Sequence, residues 1–175
     1  MPFKALMSWL GVEEAAAPEH TPLRDLIDSL DRMEPGRARH LARFAYLLGR
    51  VALADRHASE EEVRAMEALI VEEAQLTPEQ ATVVVGLAKT SNLLFGGTAD
   101  YDVAREFAES TDYAEKLALG RCLFTVASSD KAISLSEESE IHRIVNQLKI
   151  LPQDLVKLRL LHGRFLPGRG TGTPL

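Results

Sequence analysis

Two short stretches of this chain gather carboxylates and a hydroxyl at the same spacing. The first is Asp55-Arg56-His57-Ala58-Ser59-Glu60-Glu61-Glu62, the second Asp130-Lys131-Ala132-Ile133-Ser134-Leu135-Ser136-Glu137. Both read Asp-x-x-(small or apolar)-Ser-x-x-Glu. Three kinds of work are open to them. Asp55, Glu62, Asp130 and Glu137 are hard oxygen donors of the kind that hold a divalent cation such as Ca²⁺ or Mg²⁺. The same acidic surface could receive a protein partner. The third is structural: each Asp can cap exposed backbone amides across its turn. Ser-x-x-Glu is the capping-box spacing, with hydroxyl to the N3 amide and carboxylate back to the N-cap amide. Neither stretch is an EF-hand loop, because Met66 and Ile141 stand where the twelfth-position Glu is required. His57 could ligate a metal or titrate near neutral pH, although a lone exposed histidine is most often simply solvated.

Other chemistry finds little support. Cys122 is the single cysteine, which excludes an internal disulfide and a cysteine-based zinc site. It lies in an apolar run with Leu119, Leu123 and Val126, where packing is the expected role. A di-iron bundle needs Glu-x-x-His pairs, and the residue three before His142 is Ser139. There is no His-Glu-x-x-His, no Gly-x-Ser-x-Gly and no phosphate-cradling glycine loop, so the chain is not expected to be an enzyme. The formal net charge of −6 argues against a general nucleic-acid binder. One basic stripe exists: Arg39, Arg43 and Arg50, at i, i+4 and i+11, with Arg32 and Arg37 nearby. It is either a solvated face paired with acidic neighbours or a contact for an anionic partner.

The elements that must position these groups are helices. With 46% hydrophobic and 26% charged residues, the composition is globular, and Ala, Leu, Glu and Arg fill the segments between the breakers. Thr21-Pro22 starts a helix carrying Leu23, Leu26, Ile27 and Leu30, which Pro35-Gly36 ends. The next runs from about Arg37 to Leu53. Helices then follow the Ser59 box to about Ala74, follow Thr77-Pro78-Glu79-Gln80 to a break at Asn92–Gly97, and run from Asp100 to near Ser110. Others are expected from Tyr113 to about Ser128, after the Ser134 box with Ile141, Ile144, Val145 and Leu148 inward, and from Pro152 with Leu155, Leu158, Leu161 and Phe165 inward. Residues 1–20 read as an amphipathic arm (Phe3, Leu6, Met7, Leu10) followed by a linker. Residues 167–175 read as a disordered tail. No uncharged apolar run approaches the ~20 residues a bilayer requires, and residues 1–11 carry one cation, too few for strong attraction to lipid. The expected compartment is the cytoplasm.

Displacing the chain by 75 residues lays Asp55 on Asp130, Ser59 on Ser134, Glu62 on Glu137 and Met66 on Ile141; a one-residue slip then lays Pro78 on Pro152. The expected architecture is an all-α bundle of about seven to eight helices over 21–166, with pseudo-symmetric halves near 37–92 and 112–165. The doubled motif, set between an apolar helix and a longer one, resembles the TerB-like tellurite-resistance family, whose turn reads Ala-Asp-Gly-x-Ile-x-x-x-Glu. Ala54-Asp55 and Glu62 match it in the first copy; Asp130, Ile133 and Glu137 match it in the second. The segment Asp100-Tyr101 to Phe107 is similar as well. Arg56 and Lys131 stand where the family has glycine, so they are strained if that position requires φ > 0. The resemblance implies a non-catalytic helical interaction module in a stress-response or envelope-associated complex, or alternatively a protein that binds a divalent metal.

Overall fold

The computed structural model describes residues 28–168. The amphipathic arm, the linker, the Thr21-Pro22 helix start and residues 169–175 of the tail lie outside the described residues. Residues 28–31 form the helical end of the segment that precedes α1. Among the described residues there follow α1 (Pro35–Ala52), α2 (Glu60–Ala74), α3 (Pro78–Phe95), α4 (Asp100–Ser110), α5 (Tyr113–Ala127), α6 (Leu135–Gln147), α7 (Pro152–Leu161) and a 3₁₀ turn (Gly163–Phe165), with no strand.

Caps written into the sequence set most of these boundaries. Reciprocal capping boxes open α2 (Ser59 with Glu62), α3 (Thr77 with Gln80), α5 (Asp112 with Glu115) and α6 (Ser134 with Glu137). α1 departs from expectation. Pro35-Gly36 does not end the preceding helix but lies inside the first turn of α1. The Glu34 carboxylate accepts the Gly36 and Arg37 amides, each at 2.8 Å, and Pro35 takes the N1 position, where its missing N–H costs nothing. α3 also runs past the expected break at Asn92, as far as Phe95. Asn92 Nδ2 donates to Tyr46 O at 3.1 Å and Ala88 O at 2.8 Å, so its amide ties α3 to α1 while the helix continues. Gly49 makes this approach possible, since a Cβ there would stand 2.7 Å from Asn92 Nδ2.

α1 is the axis of the bundle. Leu41, Phe44, Leu47, Leu48 and Val51 are all buried, and the helix packs on α2, α3, α4, α5 and α6. From Leu41 to Ala52 every residue but the half-buried Arg43 is buried, which puts this part of the helix in the core. The halves interlock: α1 lies on α6 as α2 lies on α5. Met66 and Ile70 of α2, Val84 and Val85 of α3, Phe107 of α4, Leu119 and Phe124 of α5, and Ile141, Ile144 and Leu148 of α6 fill the interior. α7 buries less than its sequence suggests. Leu158 is buried and Leu155 and Phe165 partly so, but Leu161 is 71% exposed. The inward place one turn beyond Leu158 goes to His162, whose ring stacks on Phe124 with centroids 5.4 Å apart. No helix among the described residues is long and apolar enough to cross a membrane.

Candidate functional site

Each acidic turn follows the C-terminus of a long buried helix, α1 or α5. Asp55 Oδ1 accepts the His57 amide at 3.0 Å, and Asp130 Oδ1 accepts the Ala132 amide at 3.1 Å. The boxes come next. Ser59 N–H donates to Glu62 Oε2 at 2.7 Å and Glu62 N–H to Ser59 Oγ at 3.1 Å. Ser134 and Glu137 make the same pair of bonds at 2.6 and 3.1 Å. Backbone geometry matches as closely: φ is +71° at Arg56 and +70° at Lys131. The family's glycine position does call for the left-handed region, and a long side chain occupies it in both turns. Such a residue costs about 1–2 kcal/mol, against the smaller entropic penalty of glycine. Arg56→Gly and Lys131→Gly are therefore each expected to stabilise the fold by roughly 0.5–1 kcal/mol, read as a higher urea midpoint at unchanged slope.

The four acidic positions divide into two pairs. Asp55 and Asp130 are exposed, and each hydrogen-bonds inside its own turn. Glu62 and Glu137 are only 2% and 5% exposed, and Glu137 is among the groups that act on the Glu62 carboxyl. Glu62 Oε1 is buried with no donor beside it. The charged group acting on it is another carboxylate, and two ionised carboxylates are both acceptors. Burial, followed by Glu137, pushes the Glu62 carboxyl up to about 8, against the opposing pull of the Ser59 amide and hydroxyl. Among the described residues no group of three or more His, Cys, Asp and Glu side chains is placed to hold a metal ion. His57 is exposed on the first turn.

The arginine stripe does not form one exposed face. Arg39 is exposed, and Arg43 Nη2 donates to Glu106 Oε2 at 2.7 Å. Arg50 is only 4% exposed. Its Nε donates to Glu140 Oε1 at 2.7 Å, and Nη1 donates to Gln147 Oε1 at 2.9 Å and to the Asp100 carbonyl at 3.2 Å. Asp100 in turn accepts the Tyr46 hydroxyl at 2.8 Å and the Gly97 amide at 2.9 Å. Burial and this bond to Asp100 hold the Tyr46 hydroxyl protonated far above its ordinary range. Glu140 and Gln147 gave no sign of this in the sequence, because the network joins helices 90 and more residues apart. Beside it opens a cleft of about 290 Å³, lined by Tyr46, Ser91, Phe95, Thr98, Ala99, Asp102 and Glu106. Its hydroxyl protons are committed to Asp100, Leu87 O and Phe95 O. Cys122 is half-buried, and burial pushes its thiol up to about 11, which leaves it an inert packing group.

An all-helical bundle with two acid-capped turns at matching helix junctions is the class of protein that this geometry defines. The family model described as "Tellurite resistance protein TerB" matches residues 40–160, and the chain belongs to that family. No curated protein matches the chain, and no solved structure does.

Proposed function

We propose that this chain is a non-catalytic interaction module of the TerB type, working on a protein partner in a cytoplasmic stress-response or envelope-associated complex. The observation that carries this is a set of exposed leucines near the second turn. Leu135, Leu160 and Leu161 are 71%, 67% and 71% exposed. In sequence they adjoin residues of the contact where Arg159 of α7 pairs with Glu138 of α6 and the Ile133 amide donates to Phe165 O. Large apolar side chains left to solvent favour a protein contact where they lie together. The matching turns, capping boxes and left-handed residues of the two halves support an internal repeat, and the leucines break it, since Glu60 stands where Leu135 does. Affinity capture from the native host followed by mass spectrometry tests the surface. The whole chain is expected to hold a partner that the Leu135→Ser, Leu160→Ser double variant loses and the Asp55→Asn, Asp130→Asn double variant keeps. The reverse pattern would move the contact to the acidic turns.

One observation favours the alternative, a divalent cation such as Ca²⁺ or Mg²⁺ bound by the turn carboxylates. The Oε1 of Glu62 is buried with no donor beside it, and Glu137, which acts on that carboxyl, is a second buried carboxylate. In that case Asp55 and Asp130 would have to leave their turns to complete the shell. Thermal melts with Ca²⁺, Mg²⁺, Mn²⁺ and Zn²⁺ separate the readings, because an ion at 100 times its Kd stabilises by ~2.7 kcal/mol.

A further inference from the structure

We propose that the cleft between α1, α3 and α4 binds a small organic cation, a protonated primary amine on a short aliphatic stem. The proposal stands apart from the leucine surface and from the acidic turns. The cleft encloses about 290 Å³, at the lower edge of the ~300–1,000 Å³ typical of small-molecule sites. No lysine, arginine or histidine lines it.

What its wall offers is acceptors. The Tyr46 hydroxyl donates to Asp100 Oδ1 at 2.8 Å, Ser91 Oγ to Leu87 O at 2.7 Å and Thr98 Oγ1 to Phe95 O at 2.9 Å. Each hydroxyl therefore has only lone pairs left to give. Asp102 and Glu106 lie at i and i+4 on α4, and so on one face of it. Arg105 takes Asp102 Oδ1 and Arg43 takes Glu106 Oε2, while Asp102 Oδ2 and Glu106 Oε1 have no hydrogen-bond donor among the described residues. The Arg105 pair is exposed, at 3.2 Å, and such surface pairs exchange readily. The partial positive charge at the start of α4 is already met by Asp100 and Asp102 in its first turn, so it does not call for an anion. A ligand here has to donate hydrogen bonds and carry positive charge. The aromatic side chains of Tyr46 and Phe95 on the same wall suit a cation and an aliphatic stem alike. A bare divalent ion fits worse, because among the described residues no third His, Cys, Asp or Glu joins these carboxylates to hold one.

Amide NMR of the whole chain tests this, with putrescine and a blocked lysine as the two amines and with butanol and butyrate as neutral and anionic controls. Both amines are expected to move the amides of residues 95–106 at millimolar concentration, and the controls to leave them in place. Either amine binding supports the site. Tighter binding of putrescine would make the ligand a free amine, and tighter binding of the blocked lysine would make it a lysine side chain. Asp102→Asn is expected to weaken the amines about tenfold, through loss of one charged hydrogen bond. Ala99→Leu, which adds bulk to the wall and removes no charge, should abolish binding, while Asp55→Asn leaves it unchanged. The proposal is overturned if neither amine moves these amides, if butanol binds as tightly, or if the shifts spread evenly over the acidic surface. Displacement of the amines by millimolar Mg²⁺ or Ca²⁺, with the same amides moving, would overturn it too, in favour of a metal ion.

Discussion

Alanine at Arg50 is expected to destabilise the protein by about 3–5 kcal/mol, the range for breaking a buried ion pair from one side. The guanidinium reaches from α1 in the first half to Glu140 and Gln147 in the second and to the α4 start at Asp100. Without it, Glu140 remains largely buried with Arg143 as its one cation, at 2.8 Å, and Arg143 is itself largely solvated. Gln147 and the Asp100 carbonyl also lose a donor. Most of the loss is therefore the penalty of an uncompensated charge rather than the worth of the pair. It follows that Arg50→Met combined with Glu140→Leu should recover much of the stability that Arg50→Ala loses, because replacing both partners with apolar groups removes the charge that needed compensation. Urea midpoints for the single and paired variants measure the difference.

The second large effect lies at Met66 and Ile141. Each sits eleven residues after the aspartate of its turn, and each is fully buried. Met66→Ala and Ile141→Ala are each expected to cost about 2–5 kcal/mol, from lost transfer energy plus the cavity left behind. Similar losses at the two sites, by thermal or urea unfolding, would show that both halves rely on the same packing below their turns. The position that would carry the last ligand of an EF-hand instead anchors the core.

Local chemistry was readable from the residues, while meetings between distant segments were not. The Ser-x-x-Glu and Thr-Pro-x-Gln caps, the αL strain at Arg56 and Lys131, and the inward stripe Ile141-Ile144-Val145-Leu148 all depend on neighbours within one turn. The errors share a cause. Pro35-Gly36 reads as a stop because glycine and proline break helices, but Glu34 supplies a cap and converts the pair into a start. Asn92 looked like a breaker, yet its amide finds Tyr46 O on another helix. Arg50 fell on a stripe with Arg39 and Arg43 because spacing reports an angle around a helix, not what stands opposite. The action of Glu137 on Glu62 had one signal in the sequence. Equivalent residues of two halves that pack face to face tend to approach each other, and the 75-residue displacement superposed these two.

The Glu62 carboxyl is also where the structure is most exposed to a direct check. The side-chain carboxyl ¹³C shift of Glu62, followed by NMR across pH 3 to 10, reports its protonation. The Glu62 carboxyl is expected to titrate near pH 8, held up by burial and then by Glu137. A Glu62 titration complete by about pH 5, near the ordinary glutamate value, would mean that the carboxyl does not sit in the buried setting in which its capping box holds it.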